Sequence, residues 1–203
     1  MTVKWITCWA TDRAAFGLGQ QAWAGLRGVP GFLGQCGGWS RKTAGVAQIF
    51  GFWSSRSSHE EFLNDTHDRL AAAQAGTFEE VRVRVLDQRL VIGSGLLAGL
   101  PAVSLLRLAH CHVRQGRAAH FIQTQAELWN PGMAGAPGMC GGVLAQNSES
   151  ECLVLSGWRT ADDHQLYLDE HFGQRYEKAG LAADLDDVTG DLVDLDPTWT
   201  VIG

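Results

Sequence analysis

The sequence predicts an α+β fold in which two tandem ferredoxin-like repeats form an intramolecular dimeric α+β barrel. Two observations indicate this fold. The sequence consists of two similar halves in tandem, and each copy shows the element order β-α-β-β-α-β. The chain has 203 residues, enough for two domains of about 100 residues each. A four-stranded sheet with both helices on one face leaves its other face apolar. Fusing two copies therefore allows those faces to cover each other.

The duplication becomes visible when Cys8 is aligned with Cys111. VKWITCWATDRAAF then aligns with LLRLAHCHVRQGRAAHF, and the order is kept to the end of both copies. We interpret 1–93 as the first repeat, 94–103 as a linker and 104–203 as the second repeat. The corresponding pairs further along are Trp53 and Trp158, His59 and His164, Phe62 and Tyr167, and Leu63 and Leu168.

The elements of the first copy follow in order. A strand over 3–10 leads into a helix over 12–27, and Gly/Pro turns separate strands over 32–40 and 46–53. The second helix begins after Ser57 or Ser58, where Ser58 and Glu61 have capping-box spacing. The last strand, over 79–91, shows valines alternating with arginines, the period of a half-buried strand.

The second copy repeats this layout. It predicts strands over 105–113, 139–146, 151–158 and 190–202, with helices over 115–129 and from Thr160 onward. Thr160 and Asp163 place a capping side chain and an acid at the start of the second helix. The glycine pairs at 37–38 and 141–142 indicate strand kinks or bulges and do not fit a phosphate loop.

Composition excludes several classes of function. A net charge of −6 without a basic stripe argues against nucleic-acid binding. The N-terminus lacks a signal-peptide pattern, and the apolar stretch 96–108 is too short for a membrane span. Five cysteines without CxxC spacing indicate reduced thiols, with neither a disulfide framework nor structural zinc. We therefore expect a cytoplasmic protein, and leave open whether it forms a homodimer.

Histidines are concentrated in the second copy, and they suggest a site. Strand alternation puts Leu108, His110 and His112 on one face, as it does Trp5, Thr7 and Trp9 in the first copy. The second helix carries a stripe at helical spacing. If strand face and stripe meet, they enclose a pocket for a hydrophobic small molecule. The stripe consists of His164, Tyr167, Leu168 and His171.

Within such a pocket His110 and His164 are the candidate catalytic bases, because neutral imidazole accepts a phenolic or enolic proton near neutral pH. The candidate ligand contacts are His112, Trp158, Tyr167, His171, Trp53 and His59. Alternatively, His59 and His164 are helix-start residues bonded to a strand end. His110 and His112 equally fit core or surface positions. No acid completes a zinc set around them, so no metal site is predicted.

VKWITC, PGFLGQCGGW, FGFW and THDRLAAAQAGTF resemble the YdbC-like family of uncharacterised bacterial proteins, and HFIQTQAELWNPGM, LVLSGW and PTWTV are similar to its longer members. More distantly, W-x5-H-x2-[FY]-L resembles the antibiotic-biosynthesis-monooxygenase superfamily of dimeric α+β barrels. That resemblance implies cofactor-independent monooxygenases, haem-degrading enzymes, or proteins of unknown role. The haem-degrading branch uses a strand Asn and a helix Trp, where this chain has Thr7 or His110 and Phe62 or Tyr167.

Three hypotheses for function follow. The first is cofactor-independent oxygenation of a hydrophobic aromatic compound. The second is a non-catalytic barrel that binds a small molecule or acts in a stress response. The third is a haem or metal binder that uses the histidines of the second copy.

Overall fold

The computed structural model describes residues 1–148 and 150–203, with the backbone alone for Gln174 and Glu177. The chain forms two compact units, which we call unit 1 (Met1–Leu86 with Val193–Gly203) and unit 2 (Asp87–Leu192). Each unit therefore includes a segment from the end of the other repeat. None of the helices in the described residues has the length and apolarity to cross a membrane.

Unit 1 begins with the strand-helix-strand-strand order that the sequence predicts. A 3₁₀ turn (Ala22–Leu26) follows the first helix, and Asp12 caps that helix by accepting hydrogen bonds from two backbone N–H groups. The elements are β1 (Thr2–Ala10), α1 (Arg13–Gln21), β2 (Phe32–Ser40), β3 (Val46–Trp53), α2 (Arg56–Asp65), α3 (His67–Ala71) and β4 (Phe78–Ile92).

Unit 2 repeats that order after a short helix in the predicted linker. Thr160 caps its second long helix by accepting from the N–H of Asp163, as the capping spacing predicts. The elements are α4 (Leu96–Gly99), β5 (Leu105–Val113), α5 (Ala118–Thr124), α6 (Asn130–Ala134), β6 (Met139–Ser148), β7 (Glu151–Trp158), α7 (Ala161–Tyr167), α8 (Gly173–Ala179) and β8 (Leu185–Leu195). The last three residues of β8 and the short strand β9 (Val201–Ile202) belong to unit 1.

The sheet of each unit has the ferredoxin-like strand order. In unit 1 it is β4, β1, β3, β2, and in unit 2 it is β8, β5, β7, β6. β4 continues past Leu86 and pairs with β6, while the end of β8 pairs with β2. The predicted fold class, two ferredoxin-like repeats forming an α+β barrel in one chain, is confirmed.

The predicted last strand, over 190–202, is wrong at both ends. The strand is β8, which starts earlier, in a polar stretch whose lack of alternation concealed it. It stops before Pro197, since proline cannot donate to a strand ladder. Asp196 instead caps a 3₁₀ turn (Pro197–Trp199), and the short β9 then pairs with β2.

The helices of each unit cover one face of its sheet with aromatic side chains. In unit 1, Trp23, Trp53 and Phe62 form one buried cluster, and Phe16 and Trp199 belong to another. In unit 2 a larger cluster joins helices and sheet. Its largest members are Phe121, Trp129, Trp158 and Tyr167. Burial of these rings is the main source of stability on that face.

The glycine pairs serve different purposes. Gly141 has a φ of +135° and lies at a register shift between β6 and β7, so the predicted bulge is confirmed there. Gly38 lies in a regular stretch of β2, where it is paired with Leu195. A β-carbon at Gly38 would collide with the backbone carbonyl of Asp194. The end of β8 therefore requires glycine at this position.

Replacing Gly38 by alanine is expected to lower the free energy of unfolding by about 1–3 kcal/mol, because β2 and the end of β8 must move apart. Urea denaturation measures this change. Gly173→Ala is the matched control: no atom lies within 4 Å of its added β-carbon, so stability should stay equal or rise slightly. Equal stability of Gly38→Ala and the parent would contradict the close packing of 193–195 on β2.

Candidate functional site

A cavity of about 100 Å³ lies in unit 2, between the sheet and the helices. Its floor is formed by alternate residues of two neighbouring strands, because side chains in a strand point to opposite faces in turn. β5 contributes Arg107, Ala109 and Cys111, and β7 contributes Val154, Ser156 and Trp158. We call this cavity the unit 2 pocket.

The helical wall of the unit 2 pocket contains two π-helical turns, which are frequent at functional sites. One spans Gln125–Trp129, between α5 and α6, and the other spans Leu168–Phe172, between α7 and α8. Gln125, Trp129, Leu168 and Phe172 all line the pocket. The widened turns therefore occur where both helices face the cavity.

The innermost part of the wall is a cluster of Trp158, Tyr167 and His164. All three side chains are buried. The ring centroid of Trp158 lies 5.2 Å from that of Tyr167 and 5.2 Å from that of His164. The indole of Trp158 is held in place by donating a hydrogen bond of 3.0 Å to Ser156 Oγ. An aromatic surface of inclined rings thus borders the cavity.

Arg107 places a positive charge on the floor of this aromatic chamber. Its guanidinium forms no hydrogen bond or ion pair within residues 1–148 and 150–203, and no Asp or Glu lines the pocket. Burial lowers the pKa of Arg107, but arginine stays protonated in proteins. Arg107 keeps some solvent exposure, but a largely desolvated charge without a counter-charge is still costly, so an anionic or electron-rich ligand oxygen would stabilise it.

Tyr167 adds an unused hydrogen-bond donor. Its hydroxyl is buried and has no hydrogen-bond partner in the described residues. Burial raises the pKa of Tyr167 above its ordinary value, partly offset by Arg107 and Arg175. The hydroxyl therefore stays protonated near neutral pH and can donate to a ligand.

The condition for the predicted site, that the strand face with His110 and His112 meets the helix stripe, is not fulfilled. Pocket-lining residues of β5 are odd-numbered, so both histidines point to the opposite face. There His110 Nε2 lies 2.9 Å from Glu151 Oε1, and the two imidazole rings are 4.6 Å apart. His112 is exposed. Alternation alone does not reveal which face the helices cover.

The other predicted site residues divide between the two units. Trp158, Tyr167 and His164 line the unit 2 pocket together, whereas His171 is partly exposed and contacts Tyr167 at 6.2 Å between ring centroids. Trp53 and His59 lie in unit 1, where their rings are 5.6 Å apart. Burial, with smaller effects of Lys4, His67 and Arg56, lowers the pKa of His59 to about 4.

The predicted helix stripe is only partly buried. Phe62 and Tyr167 point inward, but Leu63 is 40% exposed. In unit 1 the i+4 position thus points outward, whereas its counterpart Leu168 lines the unit 2 pocket. No group of three or more potential metal ligands occurs in the described part of the chain.

Arg107 is not among the site residues that the sequence predicted. A signal was present in the duplication. With Cys8 aligned to Cys111, Arg107 aligns with Lys4, so both copies keep a cation at the same strand position. A charge repeated in the middle of an apolar strand indicates a function for the charge.

Comparison with known proteins connects the first repeat to a family and the whole chain to a fold. Residues 2–86 match the model of DUF4937, a domain of unknown function. Over 75 residues the chain is 33% identical to the uncharacterized protein YdbC of Bacillus subtilis (strain 168). This alignment covers 34% of the chain and 62% of YdbC, less than two thirds of that relative.

Two solved structures resemble the whole chain. A Lactobacillus acidophilus NCFM protein, provisionally named a monooxygenase, has a TM-score of 0.77 at 12% identity, covering 99% of this chain and 95% of its own. An uncharacterized ferredoxin fold protein of Listeria monocytogenes 4b F2365, related to antibiotic biosynthesis monooxygenases, has a TM-score of 0.54 at 10% identity, covering 97% and 96%. Residues 2–86 thus match DUF4937, a 75-residue stretch of the chain is similar to YdbC, and the whole chain has the ferredoxin-like barrel fold of the two solved structures.

Proposed function

We propose that the unit 2 pocket binds a hydrophobic aromatic small molecule with a phenolic or enolic oxygen, and that the protein oxygenates it without a cofactor. The observation that carries this proposal is Arg107, a cation without a counter-charge among the described residues, on the floor of an aromatic pocket. A monooxygenase-like fold agrees with the reaction but does not identify a substrate.

The proposed ligand follows from the chemistry of the pocket. A flat ring packs against Trp158 and Tyr167, while its oxygen accepts hydrogen bonds from Arg107 and from the Tyr167 hydroxyl. Both donors favour the deprotonated form of the oxygen, because each binds an oxyanion more strongly than a neutral oxygen.

The reaction balances with dioxygen as the oxidant. A substrate with an enolisable CH₂ group loses a proton, and the resulting enolate passes one electron to O₂. Recombination and uptake of the proton form a C–O bond as a hydroperoxide. Loss of water then leaves a ketone, so one oxygen atom enters the product and the other leaves as water. The substrate supplies all the electrons, and no external reductant is needed.

In this proposal His164 is the base that accepts the substrate proton. It is the one predicted catalytic histidine that lines the unit 2 pocket, and its ring is packed on Trp158. His110 has no part in this scheme, because it faces away from the pocket. Arg107 lowers the energy of the enolate, which makes proton removal by a neutral imidazole feasible.

A non-catalytic binding protein is the second candidate. The same unpaired Arg107 and Tyr167 hydroxyl would hold an aromatic anion equally well without any reaction. The predicted metal site gains no support from the side chains, since no three potential metal ligands come together in the described residues.

The test is a panel of mono- and bicyclic phenols and enols. Binding is measured anaerobically by thermal stabilisation, and oxygen uptake is then measured with an electrode. Arg107→Met is expected to weaken binding roughly 10- to 100-fold, the effect of losing one charge-assisted hydrogen bond. His164→Gln is expected to lower oxygen uptake about 100-fold or more while binding persists.

Arg89→Met is the matched control, because Arg89 is an exposed residue of unit 2 outside the pocket. It should bind and react like the parent. Unchanged binding by Arg107→Met would overturn the site. If binding depends on Arg107 but no bound compound causes oxygen uptake, the proposed oxygenase activity is contradicted. The result would then favour a non-catalytic binding protein.

A further inference from the structure

Unit 1 contains a second cavity, of about 220 Å³, which is larger than the pocket in unit 2. It lies between the sheet and α1 to α3, with Trp23, Trp53 and Phe62 among its lining residues. Rings from both helices and sheet thus form a wall, as in unit 2. We call this cavity the unit 1 pocket.

Lys4 is the notable polar group of the unit 1 pocket. Alternation along β1 places Lys4, Ile6 and Cys8 on the pocket floor. Lys4 is only 7% exposed, and no hydrogen bond or ion pair to its ammonium occurs in the part of the chain that the structure describes. Its Nζ lies 5.9 Å from the ring centroid of Phe62, a weak substitute for a counter-charge.

The groups that surround Lys4 are neutral or positive. Cys8 on the same strand has a pKa raised by burial to about 12, so its thiol is uncharged. Besides burial, Lys4, together with Arg56 on α2 and His67 on α3, lowers the pKa of His59 on α2, so these groups add no negative charge to the surroundings. His67 is bonded to Asp68, which is fully exposed. No Asp or Glu is among the lining residues.

The duplication indicates what the two sites share. Lys4 aligns with Arg107, as Trp53 does with Trp158 and Phe62 with Tyr167. Arginine cannot act as a nucleophile at neutral pH, whereas lysine can. The property common to both positions is therefore positive charge, which points to anion recognition in each unit.

We propose that the unit 1 pocket is a second ligand site, which binds a flat apolar anion of the arene carboxylate class through an ion pair with Lys4. The rings of Trp23, Trp53 and Phe62 contact the apolar part of the ligand. The larger cavity fits a bicyclic compound better than the unit 2 pocket does. This site uses none of the residues of the proposed oxygenase site, so an experiment can contradict either proposal without affecting the other.

Binding at this site takes up a proton in a defined pH range. Burial lowers the pKa of Lys4 to about 8, so about half of the free protein lacks the ammonium charge at pH 8. A bound carboxylate restores the charged form. Uptake of about 0.5 proton per ligand at pH 8 follows, with almost none at pH 6, where Lys4 is already charged.

Isothermal titration calorimetry of the full chain with 2-naphthoate tests the proposal. Titrations at pH 8 in two buffers of different ionisation enthalpy give the proton uptake. The parent is expected to bind with about 0.5 proton taken up, and Lys4→Met to bind at least 10-fold more weakly. Lys4→Arg should keep the affinity within a few-fold while its proton uptake falls to zero, since arginine is always charged.

Arg107→Met separates the two sites, because it removes the cation of unit 2 only. The Lys4-dependent binding and its proton uptake should be the same in this variant as in the parent. Equal binding of 2-naphthoate by the parent and Lys4→Met would overturn the proposal. So would absence of binding by the parent, or proton uptake that persists in Lys4→Arg.

Discussion

Replacing Lys4 by methionine is expected to raise the free energy of unfolding at pH 7 by up to about 3 kcal/mol. Burial lowers the pKa of Lys4 in the folded protein from 10.5 to about 8. At pH 7 both states carry the ammonium charge, but only the folded state holds it away from water. Methionine fills a similar volume without that cost.

The pH dependence of the stability gain in Lys4→Met shows whether burial of the ammonium charge causes it. Between pH 8 and 10.5 the unfolded chain binds the lysine proton and the folded chain does not, so this group makes the parent more stable as pH rises. The advantage of Lys4→Met should therefore be full below pH 8 and disappear towards pH 10.5. Urea denaturation of both proteins at pH 7 and pH 10 measures this stability advantage. Because the parent and the variant share all other titratable groups, the contributions of those groups cancel in the difference between the two free energies of unfolding.

Lys178→Met provides the control, because Lys178 is exposed and its replacement should change stability by less than about 0.5 kcal/mol. A Lys4→Met protein less stable than the parent at pH 7 would show that Lys4 has a stabilising partner. A gain in stability on removing a residue is typical of a position kept for function.

Replacing Asp184 by alanine is expected to lower the free energy of unfolding by about 3 kcal/mol. Asp184 is fully buried immediately before β8. Its Oδ1 accepts a hydrogen bond of 2.7 Å from Arg117 Nε, and its Oδ2 lies 2.7 Å from His120 Nδ1. The carboxylate thus fixes the start of α5 to the start of β8, and its removal leaves both partners without their acceptor.

Thermal denaturation measures this loss as a decrease in Tm of roughly 6–12 °C for a chain of this size. Asp186→Ala is the matched control. Asp186 is 65% exposed and pairs with Arg114 at 3.5 Å, so its loss should cost at most about 1 kcal/mol. Equal changes in both variants would contradict a special role for the buried carboxylate.

The fold could be predicted from the sequence because the duplication is independent of packing detail. Aligning Cys8 with Cys111 reproduced the strand-helix order of both halves, and the capping residue Thr160 is where the sequence placed it. The start of β8 was missed because its polar first half does not alternate. Periodicity detects strands only where one face differs from the other.

The site could be predicted only in part, for a related reason. β1 and β5 are central strands whose two faces are both largely buried, so alternation separates the faces without showing which one meets the helices. His164 and Tyr167 were found because helix spacing places them on one face, and Trp158 was found because it ends the strand before that helix. His110 and His112 attracted attention as histidines, while Lys4 and Arg107 on the correct face did not. A cation without a counter-charge is recognisable only once its surroundings are known.

The pairing of β2 with strands from the end of the chain has a consequence for the order of events during folding. Gly38 pairs with Leu195, and Gly34 pairs with Ile202. As the ribosome makes the chain from its N-terminus, unit 1 emerges first but lacks these partners until residues 193–202 have been synthesised. β2 meanwhile exposes unpaired backbone groups, to which a neighbouring nascent chain could attach. Pairing of β2 with residues so far along the chain closes a long loop and is therefore slow. Misassembly is avoided only if the last strands are synthesised before β2 pairs with another chain.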